Sequence, residues 1–215
     1  LGYVGAAGEK SAAAKQPAVA MSAAPTAVRP AAAAADAYDV VIIGAGPGGY
    51  VAAARAGALG LKVALVEKDG KLGGACLHRG CIPTKALLHA ADVLTDIKEA
   101  ARLGVTAEGV RVDWALVQKH KGQVVSSNAA GLEHLMKSRG VDVVRGFGRL
   151  DGARRVVVTP GEGSERVLQA SNIVLAVGSK PRELPFAKFD GTHILSSDHA
   201  TGDLVGFLDS DDLYL

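Results

Sequence analysis

The chain has 215 residues, 48% hydrophobic and 21% charged, which fits one globular domain with an appendage. A net charge of +2 without a dense Lys/Arg run gives no indication of a nucleic-acid partner, and no apolar run is long enough to span a bilayer. Two cysteines do not make a secreted disulfide scaffold, so their number favours redox or metal chemistry.

The N-terminal part predicts a remnant of one unit followed by a linker. Residues 10–37 are dominated by Ala, with scattered Pro, Ser and Thr, and contain almost no large apolar side chain with which to build a core. Because three prolines interrupt any alanine helix, we predict a semi-extended, mobile linker. A linker implies a folded unit on its far side, and residues 1–9 are interpreted as the end of that unit.

The next segment predicts a βαβ unit. Residues 39–43 form an unbroken β-branched run, which is typical of a strand buried on both faces of a parallel sheet. A glycine-rich turn and an Ala-rich helix over 50–59 follow. Residues 61–66 are the second strand, closed by Glu67. The crossover between two such strands is right-handed almost without exception.

Periodicity and turn residues predict two further helices and four further strands. The helices span 82–102 and 114–138, and the strands span 141–144, 155–159, 166–169 and 171–177. Gly146 and Gly148 form a turn after the first of these strands, the middle two strands pair as a short antiparallel insert, and the last strand has a buried parallel pattern. The sequence therefore predicts an α/β fold over 38–203, a Rossmann-like doubly wound parallel sheet with a short antiparallel β insert. Residues 204–215 are an unassigned acidic tail.

The first chemical motif is the glycine turn after the first strand. Gly44, Gly46 and Gly49 have the spacing at which one glycine permits the turn, one lets a pyrophosphate approach and one lets the helix pack on the strand. The N–H groups at the helix start favour phosphate. Glu67 lies where an acid accepts hydrogen bonds from a ribose diol. The motif predicts dinucleotide binding and does not distinguish FAD from NAD.

The second motif contains both cysteines, Cys76 and Cys81. Gly80 and the predicted helix start suit a redox disulfide, because the helix dipole stabilises a thiolate on Cys81. One alternative is a pair of buried cysteines acting as small apolar residues. Another is a zinc site that adds His78 and His89, although it lacks the paired two-residue spacings of structural zinc sites.

Residues 73–85, GGACLHRGCIPTK, closely resemble the active-site signature of the flavin disulfide reductases, GGTCxxxGCIPSK. The resemblance covers roughly residues 38–205 and includes the glycine turn, Glu67, the Gly146-x-Gly148 turn and the strand that ends at 176–181. The chain is most similar to the dihydrolipoamide dehydrogenases of this family, and mercuric and glutathione reductases share most of the signature. Because residues 1–9 are similar to the end of a lipoyl domain, they favour the first of these.

The resemblance implies a role for each candidate site residue. Cys76 matches the thiol that exchanges with a dithiol substrate, Cys81 the thiol beside the flavin, and Lys85 the lysine near flavin N5. On physical grounds alone, an ordinary cation on a helix surface is the safer interpretation of Lys85, and only the motif indicates a role. The residues expected to bind FAD are Gly44, Gly46, Pro47, Gly48, Gly49, Glu67, Lys68, Gly74, Ala75, Cys76, Lys85, Gly148, Ala176, Gly178 and Ser179.

The reaction implied is oxidation of dihydrolipoamide through the Cys76–Cys81 disulfide and FAD to NAD. The implied partners are the lipoyl domains of 2-oxo acid dehydrogenase complexes and a second copy of the whole enzyme, and the implied compartment is the cytoplasm, or the mitochondrial matrix in a eukaryote. Since the family's NAD-binding and interface domains do not appear, we expect an amino-terminal piece that cannot complete turnover. The alternatives are a non-catalytic FAD-binding module and a nicotinamide enzyme with incidental cysteines.

The sequence also departs from the family pattern. Ala75 and Val177 each stand where threonine is usual, and His78-Arg79 replaces a commoner Asn-Val between the cysteines. None of these changes removes a group that carries electrons. None of the six histidines lies in a context that matches the family's acid–base histidine, so none is assigned a catalytic role.

Overall fold

The computed structural model describes residues 36–196, which form a six-stranded mixed sheet with four α-helices. The strands are β1 (Ala37–Ile43), β2 (Val63–Glu67), β3 (Asp142–Arg145), β4 (Phe147–Leu150), β5 (Arg155–Thr159) and β6 (Arg166–Leu175). The helices are α1 (Pro47–Ala58), α2 (Gly74–Arg79), α3 (Cys81–Glu99) and α4 (Trp114–Ser138), with a 3₁₀ turn at Ala100–Leu103. The sheet order is β3-β2-β1-β6-β5-β4. The predicted α/β class, with parallel strands and an antiparallel part, is confirmed.

Three predicted segments lie wholly or mostly outside the described residues. They are the remnant at 1–9, the linker at 10–37 and the tail at 204–215. Only the end of the linker is described, and β1 begins there, at Ala37. In residues 36–196, no helix is long and apolar enough to cross a membrane.

The parallel half of the sheet is built from β3, β2, β1 and β6. Val41 of β1 lies opposite Ala64 of β2 and Ile173 of β6, so β1 is the central strand of this half. Its unbroken apolar sequence is explained by this position, since a central parallel strand is covered on both faces. The predicted βαβ unit is present, and α1 begins at Pro47 rather than at residue 50. Proline suits the first helical position because its missing N–H has no partner there.

One strand, β6, replaces the two strands predicted at 166–169 and 171–177. Its first part pairs antiparallel with β5, from Val158 opposite Arg166 onward, and its later part pairs parallel with β1. A strand can do both because each of its edges carries its own hydrogen-bond ladder. The antiparallel segment is therefore a continuation of the main sheet.

The end of β6 departs from the buried pattern that its sequence predicts. Val174 is 38% exposed and Leu175 is 58% exposed. The physical reason is that β5 pairs with β6 only as far as Gln169, so among the described strands β1 alone pairs with the later part of β6. The apolar residues at the end of β6 predict a buried environment, but the described residues do not cover them.

Side chains of successive strand residues point to opposite faces and build two cores. On one face, Ile42 and Leu65 pack with Ala53 of α1, Leu77 of α2 and Leu132 of α4. The core on the other face is made of strand side chains, namely Tyr38, Val41, Ile43, Ala64, Val66, Val144, Val156, Val158, Leu168 and Ala170.

The sequence of α4 contains a rough apolar stripe that predicts a buried face, and this prediction is only partly correct. Its members are Val117, Val124, Val125, Leu132 and Leu135. Leu132 is buried and Leu135 packs against the core, as predicted. Val117 is only half-buried, as are Val124 and Val125, whereas Met136 is fully buried and was not part of the stripe. The C-terminal turns of α4 therefore carry the contact with the sheet.

A polar cluster joins the amino ends of β1, β3 and β6. The hydroxyl of Tyr38 donates to Asp142, and Arg166 Nη2 donates to the Tyr38 hydroxyl over 2.9 Å. Arg166 also donates from Nε to Asp36 over 2.8 Å. Tyr38 is 5% exposed, and burial together with the bond to Asp142 raises its pKa to about 12. The cluster ties three strands whose sequences are far apart.

Candidate active site at the carboxyl ends of the strands

Three loops meet where β1, β2 and β6 end. Gly44 follows β1, Glu67 closes β2 and Ala176 follows β6. The amide of Ala176 donates to the carbonyl of Ile43 over 2.8 Å, which joins two of these loops. In an open parallel sheet, ligands bind at this carboxyl edge.

The glycine loop is shaped by close backbone contacts. Gly44 has a φ of +100°, and a Cβ there would lie 2.3 Å from the Ala176 carbonyl oxygen. A Cβ on Gly49 would lie 1.8 Å from the Gly44 oxygen, so only glycine fits at both positions. A Cβ on Gly46, by contrast, has no heavy atom within 4 Å among its described surroundings. The open space at Gly46 is where a ligand can approach the backbone.

The start of α1 is suited to an anion. Gly46 is the N-cap residue, Pro47 occupies the first turn, and no described side chain caps the helix. The N–H groups of the first turn therefore have no partner within the helix and lie at the positive end of the helix dipole. These features fit the pyrophosphate of a dinucleotide.

Glu67 is the buried acid of the site, with 6% exposure. Its Oε2 accepts a hydrogen bond from the Ala45 amide over 2.7 Å, and its Oε1 accepts one from the Asp69 amide over 2.9 Å. The carboxylate is thereby fixed beside the glycine loop. Each oxygen retains a lone pair that can accept a hydrogen bond from a ribose hydroxyl. Lys68, the next residue, is exposed.

The cysteine segment is attached directly to the glycine loop. The amide of Gly73 donates to the Ala45 carbonyl over 2.8 Å. A Cβ on Gly74 would lie 2.8 Å from the Gly46 Cα, so the two segments touch. The structure therefore brings together the two motifs that are separate in sequence. The segment also holds a short helix, α2, for which the sequence predicts no element.

The two cysteines occupy different environments. Cys76 is half-buried in α2, and Cys81 is exposed as the first residue of α3. Hydrogen bonding with the Cys81 side chain, with burial as a second cause, raises the pKa of the Cys76 thiol. Cys81 lies at the N-terminus of the 19-residue helix α3. The alternative of two buried, inert cysteines is wrong, because Cys81 is exposed.

A cavity of about 380 Å³ opens beside Cys76. Its walls come from α1, α2, α3 and α4, and its lining residues are Pro47, Tyr50, Gly73, Cys76, Leu77, Ile82, Ser127, Asn128, Gly131, Leu132 and Leu135. Cys76 therefore lines the cavity, and Cys81 is not part of the lining.

His78 is held within the cysteine segment. Its Nε2–H donates to the Leu72 carbonyl over 2.8 Å, because a carbonyl oxygen can only accept. Within residues 36–196, no group of three or more His, Cys, Asp and Glu is arranged to hold a metal ion. This bond engages one of the two ring nitrogens of His78 with the backbone.

The remaining predicted site residues lie at the same edge or on its margin. Ala75 is exposed on α2, and Lys85 is exposed one turn after Cys81 on α3. Gly148 lies within β4 rather than in a turn, where a Cβ would come within 3.0 Å of Ile43 and Val66. Gly178, with a φ of +70°, and Ser179 are exposed after β6. Their contacts with FAD remain predictions.

Sequence reasoning missed the contribution of α4 to the cavity. Ser127, Gly131 and Leu135 follow one another at four-residue intervals, which places them on one face of the helix. This spacing of small residues beside an apolar one was the available signal. The sequence alone does not show that α4 packs beside α2, so this spacing could not be connected with the cysteine segment.

The chain is similar to a known family of proteins. A sequence profile described as "Pyridine nucleotide-disulphide oxidoreductase" matches residues 38–211. The chain is 48% identical over 171 residues to "Dihydrolipoyl dehydrogenase" of Bacillus subtilis, which covers 76% of this chain and 36% of that protein. It is 44% identical over 160 residues to "Dihydrolipoyl dehydrogenase, mitochondrial" of Dictyostelium discoideum, covering 74% of this chain and 33% of that protein.

A solved structure agrees with these sequence matches. LpdA from Mycobacterium tuberculosis superposes with a TM-score of 0.65 at 29% identity, covering 75% of this chain and 36% of that one. The chain thus spans about a third of the length of the relatives it matches. The predicted resemblance to flavin disulfide reductases is confirmed, and the chain belongs to the pyridine nucleotide-disulphide oxidoreductase family.

Proposed function

We propose that this chain is the FAD-binding and dithiol-oxidising part of a dihydrolipoyl dehydrogenase. The observation that carries the proposal is the hydrogen bond from the Gly73 amide to the Ala45 carbonyl, which places the cysteine segment against the glycine loop. The names of the relatives support this member of the family.

The residues at the carboxyl edge fit FAD. The uncapped start of α1 would hold the pyrophosphate, the space at Gly46 would let it approach, and Glu67 would orient the adenosine ribose. Bound FAD supplies an acceptor for two electrons, which NAD takes up in the whole protein. Lys85, one turn from Cys81, places a positive charge on the same helix face as that sulfur.

The substrate step takes place at the two sulfurs. A substrate thiolate attacks Cys76 Sγ of the Cys76–Cys81 disulfide, a substrate–Cys76 bond forms, and Cys81 leaves as a thiolate. The second substrate thiol, once deprotonated, attacks the substrate sulfur of that bond, and a cyclic substrate disulfide leaves. Cys76 takes up a proton, and the chain's pair has gained the two electrons that the substrate has lost. A protonated Cys76 in the reduced pair agrees with the raised pKa of its thiol beside Cys81.

The cavity favours a neutral, partly apolar dithiol. Cys76 lines it together with aliphatic and aromatic side chains, and its polar positions, Ser127 and Asn128, are uncharged. None of the described residues in its lining is charged. A peptide thiol such as glutathione carries charges that this lining does not pair, and burying an unpaired charge is costly. Dihydrolipoamide carries no such charge.

The complete cycle needs parts beyond the matched third of the relatives. NAD reduction, a homodimer, dihydrolipoamide carried on the lipoyl domains of 2-oxo acid dehydrogenase complexes, and a cytoplasmic or mitochondrial setting are proposed for the whole protein. A mitochondrial relative exists in Dictyostelium discoideum. The activity proposed for this chain alone is the half-reaction that ends with reduced flavin.

The test is to load the purified chain with FAD, remove free flavin and add dihydrolipoamide without oxygen. We expect retained flavin colour that dihydrolipoamide bleaches, and much slower bleaching by reduced glutathione at equal thiol concentration. A chain that retains no flavin would overturn the cofactor assignment. Retained flavin that dihydrolipoamide does not bleach would instead support a non-catalytic FAD-binding module.

A further inference from the structure

The helix that carries Cys76 is intrinsically weak. Helix α2 has six residues, and helices this short do not persist on their own. It begins at Gly74 and is preceded by Gly73, with left-handed φ values of +59° and +117°, and Gly80 follows its last residue. No described side chain caps its start. Contacts outside the helix must therefore fix its orientation.

Two side chains supply those contacts. Leu77 is buried with 7% exposure and packs into the core beneath α2. On the next residue, His78 Nε2–H donates to the Leu72 carbonyl over 2.8 Å. Leu72 is 1% exposed and lies directly before the two glycines. The His78 bond thus closes over the flexible bend and joins α2 to a fixed point.

We propose that His78 is a positioning residue that holds α2, and with it Cys76, in register with Cys81. The inference rests on the proposed redox pair and assigns a task to a residue between the two cysteines. Because the Leu72 oxygen only accepts, Nε2 carries the hydrogen whether the ring is neutral or protonated. The bond therefore persists across the pH range in which histidine titrates, which separates positioning from proton transfer by this ring.

The consequence is measurable at Cys76. Hydrogen bonding with the Cys81 side chain is the largest cause that raises the pKa of Cys76. When α2 is free to turn, the bond weakens and the pKa of Cys76 falls towards its ordinary value. Since the thiolate is the reactive form, alkylation of Cys76 at neutral pH then becomes faster. Cys81 gains no comparable increase, because it begins a separate helix, α3.

The experiment compares three substitutions in the reduced chain, using iodoacetamide and peptide mass spectrometry to follow each cysteine. His78→Leu removes the donor, and His78→Asn leaves the amide too short to reach Leu72. His78→Gln places an amide N–H near the position of Nε2. We expect Cys76 to react about three- to tenfold faster in the Leu and Asn variants, as for one lost hydrogen bond. The Gln variant should react as the parent chain does, and so should His89→Gln on the exposed face of α3.

Two outcomes would overturn the proposal. An equal increase in the alkylation rates of Cys76 and Cys81 would show that the substitution loosens the whole fold rather than α2. Unchanged Cys76 rates in the Leu and Asn variants show that α2 is held without the His78 bond. Repeating the parent and Gln measurements from pH 5.5 to pH 7.5 should give the same ratio at every pH, since both donors persist. If the proposed function fails instead, FAD is not bleached by dithiol while the alkylation pattern is unaffected.

Discussion

The two ends of the parallel sheet differ in how their polar groups are satisfied. At the amino end, the Tyr38 hydroxyl, Arg166 and Asp142 are bonded to one another. At the carboxyl end, the first turn of α1 has no side-chain cap among the described residues, and Cys81 is exposed at a helix start. At the amino end, polar side chains bond the strands to one another. At the carboxyl end, polar groups are available to bind a ligand.

The amino end of the sheet therefore contributes mainly to stability, and the carboxyl end mainly to ligand chemistry. Glu67 is the exception, since its carboxylate is buried and fixed by two backbone amides yet lies beside the open glycine loop. It can both support the loop and accept from a ribose. Substitutions at the carboxyl end should therefore change flavin chemistry, whereas those at the amino end should change only the free energy of unfolding.

The largest effect is expected from Cys81→Ser. The variant should still bind FAD, because Cys81 is exposed and contributes no packing to the core. Without the second sulfur no intramolecular disulfide can form, so bleaching of FAD by dihydrolipoamide should be abolished. Anaerobic absorbance measurements check this. Bleaching at the parental rate would show that the cysteines are incidental, as in the alternative of a nicotinamide enzyme.

The glycine loop offers a pair of matched substitutions. Gly49→Ala places a Cβ 1.8 Å from the Gly44 oxygen and should lower the free energy of unfolding by about 3 kcal/mol. Gly46→Ala meets no heavy atom within 4 Å among its described surroundings, so the fold should persist while FAD affinity falls at least tenfold. Denaturant unfolding and flavin fluorescence titration measure the two quantities. Unchanged FAD affinity in Gly46→Ala would place the phosphates elsewhere.

The smallest effect is expected at the amino end. Tyr38→Phe removes the hydroxyl between Asp142 and Arg166 and should cost about 1–2 kcal/mol, with no change in flavin bleaching. Folding raises the pKa of Tyr38 from 10.0 to about 12. Its contribution to stability is therefore complete below pH 10 and is lost as the pH rises towards 12. Unfolding followed between pH 9 and pH 12 should show this loss in the parent chain and not in the variant.

Local sequence signals were sufficient for most of the fold and for the two motifs. Residues 39–43 lie in β1, the glycine spacing lies at the turn before α1, and the cysteine signature lies at α2 and the start of α3. Each of these patterns is formed by residues that are neighbours in the sequence. Helix α4 also has the predicted bounds of 114–138. Such patterns predict the elements because turn geometry and the start of a helix or strand depend mainly on neighbouring residues.

The remainder depended on contacts between distant segments. The merging of two predicted strands into β6 requires β1 on one edge and β5 on the other. The bond from Gly73 to Ala45 joins motifs that are far apart in sequence, and the Ser127 side of the cavity needs α4 to pack beside α2. No periodicity within one segment encodes such pairings, so they had to come from the structure.

The most direct test of the account is the identity of the sulfur that meets the substrate. In Cys81→Ser, Cys76 should attack the disulfide of oxidised lipoamide and form a mixed disulfide, releasing one lipoamide thiol, because Cys76 lines the cavity. In Cys76→Ser, the remaining Cys81 lies outside that lining and should form little adduct. Mass spectrometry of the intact chains measures both. Equal adducts, or more adduct at Cys81, would contradict the assignment of the cavity to the dithiol substrate.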